Sequence, residues 1–185
     1  MMKTTGNFGP WLFNMADTSG TREGYATTII DIDGNSKELS TYSELIRSHR
    51  TKLSELSEYG DFVLAASSSA DDDEYKWEHD ISNLTDAGHK FSREDRDGHG
   101  VLRITQSYCN DTDIDIPVHQ IALIFKGGNG QNTCKYVVAR EVFDSEIVIK
   151  SRGGTHVRYR YWITEMMRRL SQLCTLQQRK GAMAC

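Results

Sequence analysis

From Val101 onward the chain alternates between apolar and polar positions. VLRITQSY, DIPVHQIALIF, KYVVAREVF, EIVIK and THVRYRYWI are strand-like runs of this kind, and such alternation marks half-buried strands. Polar breaks at Asn110-Asp111, Gly127-Gly128-Asn129-Gly130, Asp144-Ser145 and Gly153-Gly154 separate them. Short strands at this spacing, with no helical crossover between them, predict an antiparallel β-sandwich rather than a parallel α/β sheet. In the last run Val157, Tyr159, Tyr161 and Ile163 share one face, and His156, Arg158, Arg160 and Trp162 share the other. The first face reads as core. The second is either a solvated outer face or a contact stripe, since Arg and Trp often anchor protein–protein contacts.

Upstream the pattern changes. Residues 1–24 have no period and contain the trio Trp11, Leu12 and Phe13, which predicts an arm docked on its own core or on a neighbouring subunit. ATTIIDIDGNSKELSTY predicts a hairpin, with Asp33-Gly34-Asn35 as a turn that needs positive φ. Over 42–58, Leu45, His49, Leu53 and Leu56 fall at helical spacing, Thr41 and Glu44 fit a capping box, and Gly60 supplies a stop. That predicts one inserted helix. DFVLAA predicts a short buried strand, and SSSADDDE a solvated loop. YKWEHDISNLTDAGHKFS predicts two short strands around Asp86-Ala87-Gly88, and REDRDGHG a second polar loop. At the end, Met166, Leu170 and Leu173, flanked by Met167 and Cys174, predict a C-terminal helix, with Arg179 and Lys180 suited to its end.

Composition narrows the function classes. The chain has 185 residues, 38% hydrophobic and 26% charged, which fits one globular domain with attachments. A net charge of −4 argues against indiscriminate binding to DNA or to an anionic membrane. The N-terminal residues lack the apolar run of a signal peptide, and no segment has the length of a membrane span. Cys109, Cys134, Cys174 and Cys185 form no CxxC pair and have no zinc-finger histidine spacing, so they read as free thiols in a reducing compartment.

Candidate chemistry is sparse. DIDGNSKE and REDRDGHG begin like calcium loops but lack the closing glutamate. Asp111, Asp113 and Asp115 alternate along NDTDID, as charged loop ends commonly do. Glu78-His79-Asp80 is a carboxylate–imidazole neighbourhood of a kind found in most proteins. No HExxH, GxSxG, P-loop or dinucleotide fingerprint occurs. No cofactor or metal is expected.

One ordered series of motifs stands out between Ala65 and Ile163. It runs from AASSSADDDEYKWEHDI, with Glu74-Tyr75 in an Asp-Tyr place, through VLRITQSYCNDTDIDI to HQIALIF. After a Gly-rich loop come Val138-Ala139-Arg140-Glu141-Val142, Gly153-Gly154 and Tyr161-Trp162-Ile163. This series resembles a β-domain frequent in tailed-bacteriophage virion proteins, especially tail-fibre-like, tail-tip and neck components. Gln120 and Ala122 depart from that family's usual Glu and Gly. The resemblance implies an Ig-like sandwich with a structural or adaptor role rather than catalysis.

The expected organisation is an N-terminal arm, hairpin and helix over 1–60, a β-sandwich over 61–164, and a C-terminal helix and tail over 165–185. The expected function is a non-enzymatic component of a phage tail, neck or baseplate, made in the host cytoplasm and residing in the virion. Its expected partners are other virion proteins and copies of itself, without direct nucleic-acid or membrane contact. The expected contact residues are Trp11, Phe13, Arg158, Arg160, Trp162, Met167 and Leu170. Alternatives are a receptor- or carbohydrate-binding module using Trp77 and Trp162, a capsid decoration protein, and a hydrolase with an acidic site at Asp95, Asp97 and His99.

Overall fold

A computed structural model describes residues 3–11, 26–40, 48–50, 52–56, 61–81, 83–96, 99–127 and 133–162. The described chain is mostly strand: β1 (Lys3–Thr4), β2 (Ala26–Ile30), β3 (Ser36–Ser40), β4 (Ser48–Arg50), β5 (Asp61–Ser67), β6 (Leu84–Arg96), β7 (His99–Asn110), β8 (Ile116–Gly127), β9 (Cys134–Ile149) and β10 (Gly154–Trp162). They form a five-stranded sheet ordered β1-β9-β8-β5-β4, a three-stranded sheet ordered β10-β7-β6, and the β2-β3 hairpin. In the five-stranded sheet and the hairpin, pairing is antiparallel except between β4 and β5. Contacts divide the chain into two units, one of Met1–Thr85 with Cys109–Gly154, the other of Asp86–Tyr108 with Thr155–Cys185.

In the first unit the centre is β5-β8-β9, and its register explains its burial. Val63 opposes Ile124, which opposes Val137, while Ala65 opposes Ala122, which opposes Arg140. Cross-strand partners share a face, so Val63, Ile124, Val137, Ala65 and Ala122 form apolar rows, with Arg140 at the end of one. Trp77, Leu56, Ile32 and Leu53 cover these rows. On the reverse face Phe62 stacks on Phe125, and Trp11 packs against the same Phe125 ring at 5.3 Å. β5 is buried at every position, as expected of a central strand covered on both faces.

The Trp11 indole is therefore docked on its own core, beside Phe8. The hairpin turn falls where expected, with Gly34 at φ +85°. Asp31 organises it, accepting from the backbone N–H of Asp33 and of Asn35.

Three expectations differ from the structure. Within the expected helix over 42–58, Ser48–Arg50 is a strand parallel to Asp61–Val63, and Leu53–Glu55 is a single 3-10 turn. The i, i+3 pair Leu53 and Leu56 does face the core, but one 3-10 turn suffices to place it. Pairing with β5, and an ion pair of 2.8 Å from Arg50 to the fully buried Asp61, outweigh a modest helix propensity. Secondly, β6 runs unbroken through Asp86-Ala87-Gly88 and on through Arg93–Arg96. Glycine weakens a strand without ending it when a neighbouring strand supplies the ladder. Only residues 97 and 98 separate β6 from its neighbour β7, so that pair is antiparallel. Thirdly, KYVVAREVF and EIVIK join into one strand, β9. The expected C-terminal helix lies outside the described residues.

Candidate functional site

β9 is the strand on which the first unit's polar features converge, and two register shifts shape it. The first lies between Leu123, which faces Ala139, and Ile124, which faces Val137. Val138 is thus an extra residue, a β-bulge. Its freed carbonyls are taken by the N-terminal segment. Thr5 donates its backbone N–H to the Val138 carbonyl at 3.0 Å and its hydroxyl to the Val137 carbonyl at 2.6 Å. Asn7, 2% exposed, donates to the carbonyls of Ile30 and Val137 and accepts from the Ile30 N–H. One buried amide therefore ties the N-terminal segment, β2 and β9 together.

The second shift is larger. Val118 faces Ile147 and Gln120 faces Val142, so His119 alone opposes the four residues Phe143 to Glu146. His119 reaches across to the Glu146 carboxylate at 3.4 Å. Asp144-Ser145 therefore marks a wide bulge in a continuous strand, where its composition had suggested a turn. On the side away from β8, β9 pairs with β1 at Ala139 and Arg140 alone. Beyond that, among the described residues, the edge from Val142 to Ile149 has no strand beside it. Val142, Ile147 and Val148 are exposed large apolar residues on this segment.

Arg140 sits where β9 passes beneath the acidic loop. It is 6% exposed, and it donates to the carbonyls of Lys76 at 3.2 Å and Asp71 at 2.6 Å and to the side-chain oxygen of Gln120. Its Nε is buried without a hydrogen-bond partner. Burial holds its pKa below the usual guanidinium value, against the opposing pull of Asp71, Asp73 and Asp72. A hollow of about 740 Å³ lies beside it, lined in part by Lys3, Asp72, Glu74, Val142 and Asp144.

The acidic loop itself is ordered by its own side chains. Ser67 accepts from the Ser69 N–H, Ser69 from Asp71, Asp71 from Asp73, and Asp73 from Tyr75 and Lys76. This staircase satisfies the backbone locally, as Ser and Asp do where no ladder is offered. The Tyr75 and Lys76 N–H groups hold the Asp73 carboxyl below its ordinary value. The Ser/Asp repeat at every second position from 67 to 73 was the available sequence signal. Arg140, by contrast, gave none, because an Arg within an alternating strand reads as an outward residue.

Of the expected contact residues, Trp11 alone has a described side chain. Trp11 is buried against its own chain, so its indole is used inside the fold and offers little to a neighbour. Arg158, Arg160 and Trp162 lie on β10, where the backbone alone is described. Phe13, Met167 and Leu170 fall outside the described residues. Trp77 is buried, its Nε1 donating to Asp80 at 3.3 Å, which removes it as an exposed sugar platform. Asp95 and His99 lie on β6 and β7 in the second unit. Among the described residues no cluster of His, Cys, Asp and Glu has metal-binding proximity. Burial pushes the Cys134 thiol up to about 11, so it is an inert thiol at neutral pH. Among the described residues no helix is long and apolar enough to cross a membrane.

Comparisons with protein-family models, with curated proteins and with solved structures give no match to this chain.

Proposed function

We propose that this chain is a structural, assembly-type protein that works by packing against copies of itself and other chains. The observation that carries this reading is the outer edge of β9. There a strand of sixteen residues, secured at its centre, leaves the segment Val142–Ile149 unpaired among the described residues and displays three exposed aliphatic side chains. Unpaired edges are templates for strand addition unless they are blunted. The wide bulge and the charges at Asp144 and Glu146 blunt part of this one, and the stretch from Ile147 onward stays regular.

The setting we propose is a tailed-phage virion, in the tail, neck or baseplate. The motif series between Ala65 and Ile163 supports it, and the same resemblance underlies the proposal that the sheets pack as an Ig-like sandwich. The mass of the purified chain in solution tests the assembly reading. Sedimentation equilibrium is expected to show species above the 21.0 kDa of one chain as concentration rises. A monomer at every concentration contradicts the reading.

A further inference from the structure

The run Asp144 to Arg152 reads DSEIVIKSR. Set antiparallel against itself with Val148 at the centre, its portion from Glu146 to Lys150 is self-complementary. Val148 lies opposite Val148, Ile147 opposite Ile149, and Glu146 opposite Lys150, and beyond Lys150 the chain turns away at Ser151-Arg152. Opposite charges directly across a strand pair stabilise it and like charges destabilise it. Shifting the centre to Glu146 places that carboxylate against its own copy, so the charge pattern disfavours that register.

The structure presents this run for such use. Glu146 to Ile149 lie on the edge of β9 that no described strand occupies. Val148 and Ile147 are exposed there at 36% and 41%. Lys150 and Arg152 follow in the turn, and both are exposed. They rest on Asp115 and Asp113 of their own chain in surface ion pairs, which are weak enough to be exchanged for others.

We infer that two copies of the chain pair edge to edge through β9, antiparallel, about a two-fold axis at Val148. This rests on the assembly reading above and names its partner and register. The contact is isologous, so Glu146 meets the partner's Lys150 twice. Both core sheets then continue as one across the axis.

Charge reversal in the full-length chain tests it. E146K and K150E are each expected to weaken self-association about tenfold, since each turns two attractive pairs repulsive. The double variant E146K/K150E is expected to restore it, with circular dichroism confirming the fold of all three. V148C, in a background with the native cysteines replaced by serine, is expected to form a disulfide dimer under mild oxidation, whereas I114C, at an exposed site away from the axis, is not. Self-association that all three charge variants leave unchanged overturns the β9 pairing while the assembly reading stands. Association restored by the double variant supports it, and a V148C chain that never cross-links overturns it.

Discussion

Arg140 is a cation held almost wholly out of water by neutral oxygens, with the nearest carboxylates in the loop above it. Removing it strands the Gln120 amide and the Lys76 and Asp71 carbonyls. R140M is therefore expected to cost about 2–4 kcal/mol in chemical denaturation, the penalty of several unmade buried hydrogen bonds. Asp80 is a contrasting case. Burial raises its carboxyl above the ordinary value of 3.8, although Trp77 donates to it. A raised folded value means the charged form disfavours the fold: its contribution is favourable below 3.8 and is lost as pH rises through the folded value. D80N retains an acceptor for the indole and carries no charge. Its melting temperature is expected to exceed that of the parent at neutral pH, with the gap closing in acid. An equal gap at both pH values contradicts this assignment. Trp77 fills the cover of the sheet beside Val63 and Ala65, so W77A is expected to cost about 3–5 kcal/mol.

At the scale of elements, β9 is the informative strand. Its alternation was plain in the sequence, as were β5, β7, β8, β10 and the β2–β3 hairpin. Asp144-Ser145 was read as an end because small polar residues mark turns and wide bulges alike. Only the partner strand tells them apart. The register supplies a test: pairing shifts by three places between Val118 and Gln120. Deleting Asp144, Ser145 and Glu146 therefore makes the ladder continuous. The shortened chain is expected to fold with an unchanged far-ultraviolet spectrum and a melting temperature no lower than the parent's. Loss of cooperative melting contradicts the register. The stretch 48–56 was illegible for another reason. Its leucine spacing suits a helix, but tertiary pairing with β5 overrode a local pattern that a short segment enforces only weakly. The candidate surface was legible in part. EIVIK was recognised as a strand, while its position on an open edge depends on the sheet order, which no local pattern encodes.

At the scale of the whole molecule, the first unit of this β-rich chain has apolar cover on both faces of its main sheet and, among the described residues, an open edge along β9. Apolar rings of the N-terminal segment cover one face, and Trp77 with the 3-10 turn covers the other. In the proposed contact that edge offers a neighbour its backbone, with a short self-complementary run of side chains beside it. Amide hydrogen exchange locates such a contact directly, because pairing an open edge slows the exchange of its outward N–H groups. The decisive measurement is exchange of the full-length chain at low and high concentration. Slowing with concentration is expected, confined to the peptide spanning 142–150. Exchange there that does not depend on concentration, or protection that appears in another segment instead, contradicts the β9 pairing.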